Sequence, residues 1–530
     1  MLRASLRPSL RPERLRLADR SAGSRVLMRA DAGAHIGIGH ASRLHALARE
    51  LVERGASVTI VGDGIPASDV WDTLPGVIEP SVDRPPLGDT ERSVAAQHAD
   101  ADRTLAVVEQ PDVVIVDSYA LGSAWQERVR DRAPDARLVA IDDLEAREHQ
   151  ADLLVDPNLG QDGPGLGRAG HLLRGTAYAP LSAGYRSGPA STGEERTRLS
   201  LLVSLGGGRS AHLPVLARAL AQEPRLREVE LVLVIPDPDD ARAAEDAVAD
   251  RKGVRLLGRL PNLRPVMEQA DLVIGAGGTS AWERLRLGIP SVVVPLAQNQ
   301  VRICRELDRH GLGVRLDDIA DTGSLVEAVV QSLGDDVLRD RTRAIGPLLV
   351  DGSGTRRLGL ALLPTDENLV LREVHQDDLP ALLAMANDPV TRTMSRSGAL
   401  ISPDRHLEWF ARLTPVARRT FWVAKLDGVV VGQARFDARR GGWELSYALE
   451  PSVRGRGLST GLLASGIRLL RSHDPRPIVG VVSDANTASH RIFRRLGFTV
   501  DPDGARAQEF GAEVGPGFSA YLLDGHAPTP

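Results

Sequence analysis

From Arg25 onward, short apolar runs alternate with stretches whose apolar residues recur every three or four positions. Val26-Leu27-Met28, Val58 to Val61, Val113 to Val116 and Leu138 to Ile141 read as strands, being aliphatic blocks bounded by polar residues. Between the first two, Leu44, Leu47, Ala48, Leu51 and Val52 share one face at helical spacing, which predicts a helix with a single buried stripe. Strands joined through helices in this way form a parallel sheet covered on both faces. A glycine- and proline-rich stretch, Gly160 to Gly188, interrupts the alternation. It restarts at Leu201-Leu202-Val203 and runs through Leu231 to Val234, Val254 to Leu257, Leu272-Val273-Ile274 and Val292-Val293-Val294, predicting a second sheet of the same kind. Around Asp351 to Gly354 and Pro364 to Glu367 the chain turns polar, and a different pattern begins at Leu369. It reads as strand, helical region, two hairpin-like strands (Phe421 to Lys425, Val429 to Phe436), a strand at Trp443 to Leu449, then helix, strand, helix.

At 530 residues the chain is too long for one core, since single cores stop growing near roughly 250–300 residues. The fold class expected is α/β: two Rossmann-like domains, 25–195 and 196–362, then a smaller α/β domain at 368–525. Residues 1–24 carry Arg3, Arg7, Arg11, Arg14, Arg16 and Arg20 against Glu13 and Asp19, and read as a disordered basic extension or, alternatively, a targeting arm. A net charge of -5 with 25% charged residues gives no reason to expect a nucleic-acid or membrane partner. The single cysteine, Cys304, excludes an intramolecular disulfide framework and multi-cysteine metal sites, so no metal is expected and a cytoplasmic setting fits. No apolar run reaches the roughly 18–20 residues of a membrane helix. The oligomeric state is not legible.

Candidate chemistry sits where strands meet helices. Gly37 and Gly39 lie between the first strand and first helix, where backbone amides approach an anionic ligand closely, and His40 falls in the first helical turn. The second half repeats the device. Gly275-Ala-Gly277-Gly278-Thr279-Ser280 follows a strand and opens the helix carrying Glu283, a ready diphosphate cradle. Ser280-Ala-Trp-Glu283 also has capping-box spacing, so Glu283 either reaches a ribose or satisfies the helix's own amides. Asn299 either contacts substrate or caps the next helix.

Arg29-Ala-Asp, Ile36-Gly-Ile-Gly-His40 with Arg43, Asp117-Ser-Tyr119, Ile141-Asp-Asp143, His149 and Leu154-Val-Asp-Pro-Asn158 resemble, in order, the motifs of the pseudaminic-acid pathway's UDP-sugar hydrolases, which are GT-B-like. The resemblance runs to about Leu316. It implies that His40 activates the water attacking the anomeric carbon and that Tyr119 positions substrate, the alternative for Tyr119 being plain packing. It also implies that Arg43 binds nucleotide or substrate and that Asn299 contacts the sugar-diphosphate region. Val453-Arg454-Gly455-Arg456-Gly457-Leu458-Ser459 resembles the pyrophosphate-binding signature of GNAT acetyltransferases, with Asn486, Ser489 and Phe493 to Phe498 similar to their last strand and helix. That resemblance implies acetyl-CoA as cosubstrate, held by Arg454, Gly455, Arg456, Gly457, Ser459 and Asn486. Many members carry a tyrosine at the Phe493 position that protonates the departing thiolate; here another hydroxyl such as Tyr447, the released amine proton or bulk water must serve. Glu444 either accepts the amine's proton through water or simply faces solvent, and Trp409 and Phe410 are core or substrate contacts. Together these imply a bifunctional enzyme that acetylates a UDP-linked 4-amino sugar and hydrolyses UDP from the product. The rivals are a UDP-sugar-dependent glycosyltransferase fused to an acetyltransferase and a catalytically idle binder.

Overall fold

The computed structural model describes residues 14–15, 23–31, 39–63, 92–144, 147–160, 170–189, 198–207, 210–363, 369–413 and 420–525. The expected basic extension lies outside them except for a two-residue strand, β1 (Arg14–Leu15), and its last two residues, Gly23 and Ser24. The chain forms two compact units, Ser21–Leu363 and a second made of Pro364–Pro530 with Met1–Arg20.

The larger unit holds two six-stranded, wholly parallel sheets, as the two alternating stretches predict. In its amino-terminal half the elements are β2 (Arg25–Asp31), α1 (Gly39–Glu53), β3 (Ser57–Asp63), α2 (Val94–Leu105), β4 (Val113–Asp117), α3 (Ser123–Arg132), β5 (Arg137–Ile141), β6 (Leu153–Asp156) and β7 (His171–Arg174). Their order is β3-β2-β4-β5-β6-β7, so the winding reverses between β2 and β4. The predicted stripe of α1 is the buried one: Leu44, Leu47, Ala48 and Leu51 join Val26, Met28, Val58 and Ile115 in one core. The glycine-rich interruption is not wholly irregular. β7 lies inside it, an edge strand registered on β6 from Leu153↔His171, and its mixed burial explains why no apolar run marks it.

The carboxyl-terminal half comprises β8 (Ser200–Ser204), α4 (His212–Gln222), β9 (Glu230–Val234), α5 (Pro238–Val248), β10 (Val254–Leu257), α6 (Arg264–Met267), β11 (Leu272–Ala276), α7 (Thr279–Arg286), β12 (Ser291–Val294), α8 (Val301–Arg309), β13 (Gly313–Arg315), α9 (Thr322–Leu333) and α10 (Asp336–Leu349). The order β10-β9-β8-β11-β12-β13 reverses between β8 and β11. Asp237, Asp321 and Asp335 cap α5, α9 and α10 through their side chains. α11 (Gly354–Leu362) then returns to the amino-terminal half, where Leu358, Ala361 and Leu362 complete the core under α1.

In the smaller unit β14 (Leu369–Glu373), β15 (Phe421–Leu426), β16 (Val429–Ala438), β17 (Trp443–Leu449), β18 (Ile478–Ser483), β19 (Thr499–Asp501) and β20 (Phe518–Leu523) form, with β1, a sheet ordered β1-β14-β15-β16-β17-β18-β20-β19. Every neighbouring pair is antiparallel except β17 and β18, which run parallel. Among the described residues no helix is long and apolar enough to cross a membrane.

Candidate functional site

In open parallel sheets, ligands sit at the carboxyl ends of the strands where the winding reverses. In the amino-terminal half that point lies between β2 and β4. α1 follows β2 and sets His40 in its first turn, while β4 ends on Asp117. The His40 ring is 5% exposed, and its Nδ1 lies 2.5 Å from Oδ1 of the fully buried Asp117. A proton on Nδ1 donates to Asp117, leaving the Nε2 lone pair without a hydrogen-bond partner among the described residues. Arg43, one turn further along α1, grips both oxygens of Asp117 through Nε and Nη2, at 2.5 Å each, and reaches Asp143 after β5 through Nη1 at 3.2 Å. Burial works against charge on Arg43 and Asp117 alike. Their mutual attraction outweighs it, holding the guanidinium's pKa well above its usual value and the carboxylate's below its own.

Tyr119 stands edge-on to the His40 ring, centroids 4.5 Å apart. Its hydroxyl donates to Asp143 Oδ1 at 2.5 Å and accepts from Asn299 Nδ2 at 2.8 Å. Burial and the nearby Asp143 charge push the phenol well above its usual pKa, so Tyr119 is a proton-bearing donor. Asn299 therefore caps nothing: α8 begins after Gln300 without a side-chain cap, and the Asn299 amide bonds across to the other half. A second bridge runs beside it, from Arg302 to Asp156 at the end of β6, at 3.1 Å.

At the reversal of the carboxyl-terminal half, Gly277 and Gly278 separate. A Cβ on Gly277 would stand 2.6 Å from Cys304 Sγ and 2.8 Å from the Gln300 carbonyl, so this glycine lets α8 approach β11. A Cβ on Gly278 would meet open space. Gly278 is itself the N-cap of α7, with no side-chain bond to the free amides of Thr279 and Ser280. The capping-box alternative thus fails, because Ser280 is already inside the helix and its Oγ accepts from Arg284 at 3.1 Å. Glu283 turns instead toward the Tyr185 hydroxyl. Burial pushes its carboxyl up to about 7, against the opposing effects of Arg284 and that hydroxyl. Gly37 lies outside the described residues; Gly39 opens α1, and a Cβ there would meet nothing.

In the smaller unit the parallel pairing of β17 with β18 runs only from Trp443↔Ile478 to Leu445↔Gly480. Beyond it the two strands no longer pair with each other, and the loop Pro451 to Gly457 follows. Gly455 and Gly457 have φ of +80° and +77°, with open space where a Cβ would stand. Gly457 caps the helix Leu458–Arg471 with no side-chain bond, so the amides of its first turn, Ser459 included, are available to an anion. The half-buried Arg456 lies in the same loop. Arg454, expected on the ligand, is tied into the scaffold: it bonds the Leu449 carbonyl and pairs with Asp388 at 2.8 Å. Asn486 likewise caps the helix Thr487–Arg495 by accepting from Ser489 N at 3.0 Å. Glu444 is gripped by Arg396 (3.0 Å) and Arg439 (2.6 Å), one arginine to each oxygen, a poor arrangement for accepting a proton. Trp409 stacks on His406 and lies near Phe421 and Arg435, while Phe410 is buried. The Tyr447 hydroxyl, two residues past the last β17–β18 pair, lies 2.7 Å from Ser489 Oγ.

No sequence pattern assigns a role to Asp117 or Asp143 or predicts the Asp156–Arg302 bridge. A legible clue existed: β4, β5 and β6 each run into aspartate at their carboxyl ends, Asp117, Asp142-Asp143 and Asp156, where a wholly apolar strand should end in a turn.

Comparison with known proteins agrees with this division. Residues 202–344 match the model of the glycosyltransferase family 28 C-terminal domain, and residues 368–499 that of the acetyltransferase (GNAT) domain. The chain thus carries a region like the C-terminal domain of family-28 glycosyltransferases, fused to a GNAT acetyltransferase domain. Among curated relatives, it is 31% identical over 186 residues to the UDP-N-acetylglucosamine--N-acetylmuramyl-(pentapeptide) pyrophosphoryl-undecaprenol N-acetylglucosamine transferase of Acidiphilium cryptum, covering 33% of this chain and 48% of that one. It is 22% identical over 191 residues to spore coat polysaccharide biosynthesis protein SpsG of Bacillus subtilis, covering 35% and 56%. The L-methionine sulfoximine/L-methionine sulfone acetyltransferase of Pseudomonas paraeruginosa is 27% identical over 162 residues, 29% of this chain and 94% of that one. The chain spans about half the length of the first two.

Proposed function

We propose that the larger unit hydrolyses a UDP-linked diacetamido-trideoxy sugar to UDP and free sugar, and that the smaller unit transfers acetyl from acetyl-CoA to the sugar's 4-amino group, as in pseudaminic-acid biosynthesis in the cytoplasm. The observation that carries the reading is the His40–Asp117 pair at the β2/β4 reversal. Asp117 fixes the tautomer, Nε2 takes the proton of a water attacking the anomeric carbon, and the bond from that carbon to the β-phosphate oxygen breaks as UDP leaves. The uncapped amides of α7 suit the diphosphate and Glu283 the ribose, while the Tyr119 hydroxyl, its proton held by Asp143, offers its oxygen as an acceptor to the sugar. In the smaller unit the open glycine loop and first-turn amides of Leu458–Arg471 suit the coenzyme A pyrophosphate, and the Tyr447–Ser489 pair supplies a proton to the departing thiolate.

His40→Asn is expected to lower UDP release from the diacetamido sugar nucleotide about 10²-fold or more, a general-base magnitude. Acetyl transfer by the same variant stays intact, and unchanged hydrolysis would remove His40 from the mechanism. The second reading, sugar transfer to an acceptor other than water, is favoured by the 31% identity to an N-acetylglucosamine transferase. UDP release by purified protein without any acceptor separates the two, since a transferase would stall.

A further inference from the structure

Asn158 sits two residues past the end of β6. It is 1% exposed, yet among the described residues neither Oδ1 nor Nδ2 has a hydrogen-bond partner. Only a few buried polar groups in folded proteins go unpaired, and each such group has given up its water for nothing within the protein. The backbone offers no explanation, because the Asn158 N–H is already satisfied by Asp156 Oδ1 at 3.2 Å.

Its place in the fold supplies one. β4, β5 and β6 are parallel neighbours, so the segments leaving them, Asp117 to Tyr119, Asp142-Asp143 and Pro157-Asn158, emerge from one sheet edge at steps of roughly 4.8 Å. Asn158 therefore continues the row that contains Tyr119 and Asp143. The residues on either side of it lie under α8: Arg302 pairs with Asp156 and reaches the Gly160 carbonyl at 3.5 Å, and a Cβ on Gly160 would stand 3.1 Å from Glu306 Cδ. α8 is the helix that begins just after Asn299. The residues flanking Asn158 thus pack against the same element whose preceding turn bonds Tyr119.

We propose that Asn158 is a sugar-binding residue of the larger unit: Nδ2 donates to one substituent of the pyranose ring and Oδ1 accepts from the substituent beside it. A carboxamide presents a donor and an acceptor side by side. Vicinal ring substituents, hydroxyl or acetamido, present the complementary pair, whereas the diphosphate offers acceptors only. The proposal rests on the nucleotide-sugar reading above and adds where the sugar is held.

Calorimetric titration of the full chain with UDP, UDP-glucose and UDP-N-acetylglucosamine tests it. Asn158→Ala is expected to weaken both sugar nucleotides about tenfold, the size of one or two lost hydrogen bonds, while UDP affinity changes less than about twofold. Asn158→Leu removes the unpaired groups at similar volume, so it should lose sugar affinity equally while melting no lower than the unsubstituted chain. Unchanged sugar-nucleotide affinity in Asn158→Ala would overturn the proposal, as would a lowered melting temperature in Asn158→Leu, which would assign Asn158 to an internal water. UDP bound with sugars indifferent to Asn158 sinks this inference alone; no UDP binding by the unsubstituted chain sinks the nucleotide-sugar reading with it.

Discussion

At the scale of single residues, the motifs divide by environment rather than by position in the sequence. Arg29 stands in a motif as His40 does, yet it is fully buried against Asp100, which also accepts from the Trp125 indole at 3.1 Å, so it serves the scaffold. Glu283 invites a pH test. Its carboxyl, pushed up to about 7 chiefly by burial, is half protonated near neutrality, and only the ionised form accepts from both ribose hydroxyls. UDP affinity should therefore rise as pH climbs from about 6 to 8. Glu283→Gln should flatten that rise and weaken UDP about 10-fold or more, the value of hydrogen bonds to a charged acceptor. The sign for stability is opposite: a carboxyl with a raised folded-state pKa favours the fold below its ordinary value and loses that contribution as pH rises toward 7. A parallel slope in both proteins would release Glu283 from the ribose. Tyr447 makes a second case, because Phe493 has no proton to give. Burial raises the Tyr447 phenol above its ordinary pKa, the Ser489 hydrogen bond opposing, so it keeps its proton at neutral pH. Tyr447→Phe should cut kcat for acetyl transfer to the UDP-linked 4-amino sugar about 10²-fold, with KM for acetyl-CoA within about twofold. A kcat equal to that of the unsubstituted chain would leave the thiolate to solvent.

At the scale of elements, strands buried on both faces were legible because their composition is nearly unbroken. β2, β4, β5, β8, β9, β11 and β12 all fall on the apolar runs, and α1 on its stripe. β7 and β13 were not, since edge strands with partly exposed residues carry no such run. The glycine loops were legible as loops, but the roles within them were not: Gly277 answers to the packing of α8, and only Gly278 faces open space. Side-chain partners across 77 positions, such as His40 and Asp117, leave no local pattern at all. Gly480 gives the element-scale prediction. It lies in β18 beneath the Phe493 ring, and a Cβ there would overlap Phe493 Cε1, so alanine must displace either the strand or the ring. Gly480→Ala should destabilise the smaller unit by about 1–3 kcal/mol, the usual cost of overpacking. Thermal unfolding checks it, and pairing Gly480→Ala with Phe493→Leu should restore part of the loss. A melting curve unchanged in Gly480→Ala would mean that the Phe493 ring moves aside at no cost.

At the scale of the whole molecule, the two proposed activities constrain each other through the charge on one nitrogen. A 4-amino group on the sugar is cationic near neutral pH, whereas the acetamido group formed from it is neutral and offers a donor and an acceptor. A sugar site lined by the neutral hydroxyl of Tyr119 and the carboxamides of Asn299 and Asn158 has hydrogen bonds for an acetamido group but no free carboxylate for an ammonium, because Arg43 and His40 already occupy Asp117, and Arg43 and Tyr119 occupy Asp143. The ammonium would lose water without gaining an ion pair, a penalty of roughly 1–3 kcal/mol or more, which corresponds to discrimination of about 5-fold to over 100-fold. Acetyl transfer should therefore precede UDP cleavage. With purified chain and the UDP-linked 4-amino sugar, UDP release should be slow until acetyl-CoA is added and should then follow acetylation with a lag. His40→Asn should accumulate the acetylated nucleotide sugar, and Gly457→Trp, which fills the space over the glycine loop, should leave the amino sugar nucleotide uncleaved even with acetyl-CoA present. Equal single-turnover rates of UDP release with and without acetyl-CoA would contradict the order and leave two independent activities on one chain.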